Sequence, residues 1–294
     1  MKRVLTAAAV ALALAFTGCS SSRQNVVVVG SKNFPEQLIL GELIAQQIEA
    51  KTHLKVERRF YLAGTYICQQ AMLAGRIDVY PEYTGTALTA ILKEPPLKDA
   101  DAVYQRVKEQ YEQKFHFEVL PSFGFNDTFA IEIRGADARR LHLTTISQAA
   151  NYTPQWRAGF GYEFTERPDG YKGLVAAYGL KFARPPLIMD LGLLDRALVD
   201  KQIDLAAGNS TDGLIPVLDL AVLQDDRHYF PPYYAVSIVR GEALARHPEL
   251  RPALAELAGK ISDDDMRALN YAVDGQHRSV SDVVREFRQK KGLN

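Results

Sequence analysis

The sequence predicts an α/β protein. Short β-branched runs alternate with stretches of helical periodicity from Asn25 onward, the first elements follow the order β-α-β-α-β, and one Ile-Asp-aliphatic segment recurs in the second half. Val26-Val27-Val28-Val29, ending at Gly30, reads as a strand buried on both faces. Pro35 suits the first position of a helix, and Leu38, Ile39, Leu43, Ile44 and Ile48 carry helical spacing to Lys51. Residues 54–61 read as the next strand, 65–74 as a helix and 77–80 as a strand, an order that argues for a mainly parallel sheet covered by helices. A charged helix over 99–114 follows.

A second series begins near Phe129, with a strand over 156–160, helices over 170–178 and 191–201, and a strand over 203–206. From Glu242 the pattern is helical: Asp263-Asp264-Asp265 can cap a helix through Val273, and another spans 279–289. The recurring segment is Gly75-Arg76-Ile77-Asp78-Val79 against Lys201-Gln202-Ile203-Asp204-Leu205. Each follows a helix end and leads into a polar loop, which puts Tyr83 and Asn209 at equivalent positions. Ligands of open α/β sheets bind at the carboxyl ends of strands, so both loops are expected to face one cleft.

The 294 residues balance 35 basic against 35 acidic side chains, which leaves no electrostatic case for nucleic acid or an anionic surface. Met1-Lys2-Arg3 and the apolar run from Val4 to Phe16, roughly 13 residues, fit a secretory signal and are too short to span a bilayer. Phe16-Thr17-Gly18-Cys19 resembles a bacterial lipobox, with Phe16 where a leucine is usual. Residues 1–18 are therefore expected to be a signal peptide and 19–24 a tether anchored through lipidated Cys19, facing the periplasm or cell exterior. Ordinary cleavage nearby, releasing a soluble product, is the alternative. Cys68, in an apolar helical stretch, reads as a small buried hydrophobe, and no Cys/His/carboxylate group has metal-ligand spacing.

Five blocks carry a family resemblance: Gly30-Ser31-Lys32-Asn33-Phe34-Pro35-Glu36-Gln37, the segment from Asp78 to Thr86, the segment from Glu163 to Tyr171, Ser210-Thr211-Asp212-Gly213, and Phe230-Pro231-Pro232-Tyr233-Tyr234. In this order they resemble the glycine betaine/choline-type substrate-binding proteins of ABC importers. The resemblance implies a two-lobe, periplasmic-binding-protein-like (type II) α/β fold, lobe one from 25–125 plus 236–294 and lobe two from 126–235, closing on ligand by a hinge. It implies a quaternary ammonium zwitterion as ligand, glycine betaine-like or larger, such as a ring-bearing betaine. A quaternary ammonium has no N–H to donate, so aromatic faces recognise it by cation–π attraction.

Mapped by motif, the cage positions are Tyr83, Phe129, Asn209 and Tyr233, with Gln37 and Thr86 as polar contacts. Asn209 stands where the family has an aromatic, which leaves room for a larger solute. Arg167 is a candidate carboxylate clamp or, equally, half of a structural ion pair. The implied partners are the small solute, a permease and its ATPase, with the membrane reached through the lipid anchor; no cofactor or metal and no enzymatic activity are expected. The alternatives are a binding protein for another polar zwitterion such as an amino acid, and an enzyme on the same fold.

Overall fold

The computed structural model describes residues 25–293, so the expected signal segment, tether and Cys19 lie outside the described residues. Ten strands form two five-stranded sheets. The first has the order β2-β1-β3-β10-β4 and the second β7-β6-β8-β5-β9.

In the first sheet β1 (Val26–Gly30), β2 (Lys55–Arg59) and β3 (Val79–Tyr83) run parallel, while β10 (Ala235–Arg240) lies antiparallel between β3 and β4 (Phe117–Val119). Val27, Val28 and Val29 of β1 are buried, in core clusters on both faces of the sheet, as their continuous apolar run requires, and Val26 is half-buried at the strand's start. Helix α1 (Pro35–Lys51) opens on Pro35 and packs across this sheet, burying Ile39, Leu40, Leu43, Ile44 and Ile48. Helix α2 (Thr65–Leu73) buries Cys68 and Met72 on the opposite face, and burial pushes the Cys68 thiol up to about 12. Asp99 caps α3 (Ala100–Phe115) by accepting the Ala102 N–H at 2.8 Å.

The second sheet repeats the plan. β6 (Ala158–Phe160), β7 (Leu187–Ile188) and β8 (Leu205–Asn209) are parallel, and β5 (Phe129–Arg134) runs antiparallel between β8 and β9 (Leu220–Leu223). Helices α4 (Tyr171–Tyr178) and α5 (Leu191–Val199) pack against it. The chain passes between the sheets twice, and the passages lie side by side: Asn126 bridges Tyr234, and the Asp127 N–H donates to the Tyr233 carbonyl at 3.1 Å.

The C-terminal helices α6 (Asp263–Asn270) and α7 (Val280–Lys290) return to pack on α1. At α6 the cap is Ser262 rather than the acidic run: Ser262 and Asp265 form a reciprocal capping box, and the three aspartates fill the first turn. Helical structure then continues from 271 as a single π-helical turn, Tyr271–Gly275.

Candidate ligand-binding cleft

A cavity of about 270 Å³ opens where the carboxyl ends of the parallel strands of both sheets meet. Of the seven residues singled out in the sequence, Tyr83, Thr86, Phe129, Arg167, Asn209 and Tyr233 line it. Gln37 does not. It is fully buried in the first turn of α1, with its Oε1 accepting the Lys32 N–H at 3.3 Å and its Nε2 unpartnered. That turn points the side chain inward, beneath Tyr83.

Strand register places the rings. Tyr83 ends β3 opposite Ala235, and Asn209 ends β8 opposite Phe129, so the equivalence expected between Tyr83 and Asn209 is realised in the pairing. Phe129 meets Tyr233 edge-on at 5.5 Å and Phe164 at 4.8 Å, while Phe34 stacks on Tyr83 at 6.5 Å. Both tyrosines are buried, and a carboxylate fixes each phenol: Tyr83 Oη donates to Glu36 at 2.6 Å and Tyr233 Oη to Asp169 at 2.6 Å. Burial, then the adjacent Glu36 or Asp169, pushes both phenols well above their ordinary range, so they stay neutral donors.

The chain's own cations already occupy one face of several rings. Lys32 Nζ lies 4.9 Å from the Tyr83 ring centre, and Arg167 Cζ lies 4.9 Å from Phe129 and 5.8 Å from Tyr233. Both cations are neutralised. Lys32 pairs with fully buried Glu82. Arg167 forks onto Asp169 at 2.9 and 2.6 Å and donates to Thr86 Oγ1 at 3.0 Å. Burial works against these charges, yet the pairing wins: the Arg167 guanidinium is held up and the Asp169 carboxyl held down. Arg167 thus forms a structural ion pair while keeping an edge in the cavity wall. The Arg167 fork, formed inside the second-sheet segment, reaches across to Thr86 and ties the two sides of the cleft together.

A second tie centres on Glu36, at the start of α1. Its carboxyl accepts from Tyr83 Oη, from Thr211 Oγ1 at 2.5 Å and from Asn270 Nδ2 at 2.9 Å, joining α1, the loop after β8 and α6. Burial raises Glu36, and these three hydrogen bonds offset part of the rise. Asp127, in the cavity wall, is pushed up strongly by burial and then by Glu36.

Several wall residues were not singled out in the sequence. Phe34 and Phe164 sat inside quoted blocks, so motif position was a usable signal. Lys32 was also in a block, but its place over Tyr83 depends on Glu82. Asp190 and Leu191 enter from the β7–α5 turn, where no motif marked them.

Residues 25–290 match the OpuAC family, the substrate-binding domain of ABC-type glycine betaine transport systems. The chain belongs to that family. It is 37% identical over 275 residues to the carnitine transport binding protein OpuCC of Listeria monocytogenes, covering 93% of this chain and 89% of that one. It is 35% identical over 268 residues to the ergothioneine transport permease/binding protein EgtU of Helicobacter pylori, covering 91% of this chain and about half, 48%, of that longer protein. Among solved structures it matches the crystal structure of a glycine betaine/carnitine/choline ABC transporter with a TM-score of 0.74 at 34% identity, covering 91% of this chain and 99% of that one.

The protein is therefore an ABC-importer substrate-binding protein with the two-lobed fold of that class, working with a small ligand and a permease on the extracytoplasmic side. Among the described residues no helix is long and apolar enough to cross a membrane.

Proposed function

We propose that this protein captures a quaternary ammonium zwitterion in the cleft and presents it, lobes closed, to its permease. The observation that carries the reading is the group of rings converging on one cavity from both sheets, Tyr83 and Phe34 on one side and Phe129, Phe164 and Tyr233 on the other. Such rings attract a methylated ammonium by roughly 0.5–2 kcal/mol each. The free edges of Arg167 and the hydroxyl of Thr86 suit the solute's carboxylate. Gln37 acts behind the wall, by supporting Tyr83. The names of the relatives, carnitine, ergothioneine and glycine betaine binders, fall in the same chemical class.

In this reading lobe one is 25–125 with 236–294, lobe two is 126–235, and the hinge is the paired passage at Asn126 and Tyr234. The ATP-driven partner, the anchor at Cys19 and the absence of turnover belong to the same proposal. Calorimetric titration with glycine betaine, carnitine, choline and ergothioneine tests it. Binding of at least one solute in the micromolar range is expected; if none binds below about 1 mM, some 4 kcal/mol, the ligand class is wrong. Wall carboxyl Asp127 gives the amino-acid alternative one supporting observation, and free amino acids in the same panel decide between them.

A further inference from the structure

A second, smaller cavity of about 50 Å³ adjoins the first and shares Phe34, Leu191 and Asn209 with it. Its polar side chains are nearly all acceptors: Glu36, Asp195, Asp212 and Asp274, with Asn209 and Asn270 beside them. Glu132 lies one layer behind, directly under Gly208, where an added Cβ would come within 2.4 Å of its Oε1. Among the described residues none of these five carboxyls has a Lys or Arg within ion-pair distance, whereas both cleft cations, Lys32 and Arg167, are paired elsewhere. The Asn270 carbonyl oxygen, on an annex-lining side chain only 6% exposed, accepts no hydrogen bond, and Glu132, with no exposed surface, has as its partner the Asp195 carboxyl, with which it shares a proton.

An unpartnered buried acceptor such as the Asn270 oxygen is costly, and Asp212 and Asp274 have no cation beside them, so the site calls for a donor from outside the chain. No group of these carboxylates is arranged to hold a metal ion among the described residues. The donor that can reach them is the solute itself, because Asn209, where an aromatic would close the wall, lines both cavities. The space suits one small polar group, as a water occupies about 30 Å³ of liquid volume.

We infer that the annex is a specificity subsite for the far end of the solute, and that this end carries N–H donors, cationic or neutral, rather than a second carboxylate. The inference rests on the quaternary ammonium reading of the main cavity. Burial and the neighbouring Asp195 push Asp212 up to about 7, so an ammonium entering the annex displaces a proton near neutral pH.

The test compares betaines that keep the trimethylammonium and the carboxylate and carry side chains of equal length, the Nα-trimethyl derivatives of 2,4-diaminobutyrate, aspartate and norvaline, by calorimetry at pH 7 in phosphate and in Tris. The diaminobutyrate derivative is expected to bind at least tenfold more tightly than the aspartate derivative, with proton release seen as a buffer-dependent enthalpy. Asp274→Asn and Asp212→Asn should each shrink that ratio, and Asn209→Tyr should abolish it by closing the passage. An aspartate derivative that binds as well as the diaminobutyrate one overturns the inference, and so does a ratio that survives all three substitutions. If no trimethylammonium solute binds at all, the main-cavity reading fails with it; tail-independent binding sinks the annex alone.

Discussion

In both sheets an Ile-Asp-aliphatic segment enters the third parallel strand, and its Asp side chain accepts the N–H of the neighbouring first strand. Asp78 takes the Val28 N–H at 3.0 Å, and Asp204 takes the Arg157 N–H at 3.0 Å. The preceding isoleucine packs on a glycine of that same first strand. A Cβ at Gly30 would meet Ile77 Cδ1 at 2.6 Å, and one at Gly159 would meet Ile203 Cδ1 at 2.5 Å. An arginine at the end of the antiparallel strand then reaches each aspartate, Arg240 to Asp78 at 3.5 Å and Arg134 to Asp204 at 2.7 Å.

The lobes part company at the cleft end and in the core behind it. Five residues beyond each aspartate stand Tyr83 and Asn209. Counting from the register pairs Ala235↔Tyr83 and Phe129↔Asn209, Glu132 of β5 corresponds to Ile238 of β10, a buried carboxyl against a buried apolar side chain. The shared positions satisfy the backbone, and the differing ones line the cleft or lie just behind its wall, so the comparison separates scaffold from cleft.

Removing the shared aspartates should have the largest effect. Asp78→Ala strips a buried partner from Arg240, Arg246 and the Val28 N–H, and is expected to cost about 3–5 kcal/mol. Asp204→Ala, at a less covered site, should cost less; urea unfolding of both variants checks the order. Equal losses would mean that exposure does not separate the two sites.

The core difference predicts a pH dependence. Burial raises Glu132, Asp195 and Asp212, with neighbouring acids adding to the rise at Glu132 and Asp212, so each holds a proton more tightly folded than unfolded. Their stabilisation is full below about pH 4 and fades as pH rises, for Asp212 through about 7. Without solute, Tm should fall by on the order of 5–10 °C between pH 5 and pH 8. Glu132→Ile, the residue of the other sheet, should raise Tm at pH 8 more than at pH 5. A Tm independent of pH would mean that these carboxyls are compensated.

Swapping the strand-end residues gives the smaller effects. Tyr83→Asn removes a ring and its bond to Glu36 and should weaken glycine betaine binding about 30-fold, some 2 kcal/mol. Asn209→Tyr should tighten glycine betaine binding several-fold by adding a ring, within the roughly 0.5–2 kcal/mol such contacts supply. Titration of both variants against one solute measures how far the two positions are interchangeable.

Local chemistry made most of the scaffold legible in the sequence. The valines of β1, Pro35 with the periodic residues after it, and the two Ile-Asp segments each report their own neighbourhood, and helices and strands formed there within a few residues of expectation. Strands β9 and β10 were not anticipated, because a short apolar run becomes a strand only when a partner edge is present.

Side-chain direction was decided by tertiary structure. Gln37 and Phe34 sit in one motif, yet packing of α1 on the first sheet turned Phe34 into the cavity and Gln37 away from it. Glu36, bonded to Asn270 across 234 residues, and Glu132 behind Gly208 gave no sequence signal of a common acidic annex. The sequence by itself determined the repeated scaffold, because backbone satisfaction and periodicity are local, while the aromatic character of the cleft was implied by its motif resemblance to a family. Only the folded chain decided which rings share a cavity and which carboxyls are left without a cation, because burial and charge pairing depend on every segment that packs around them.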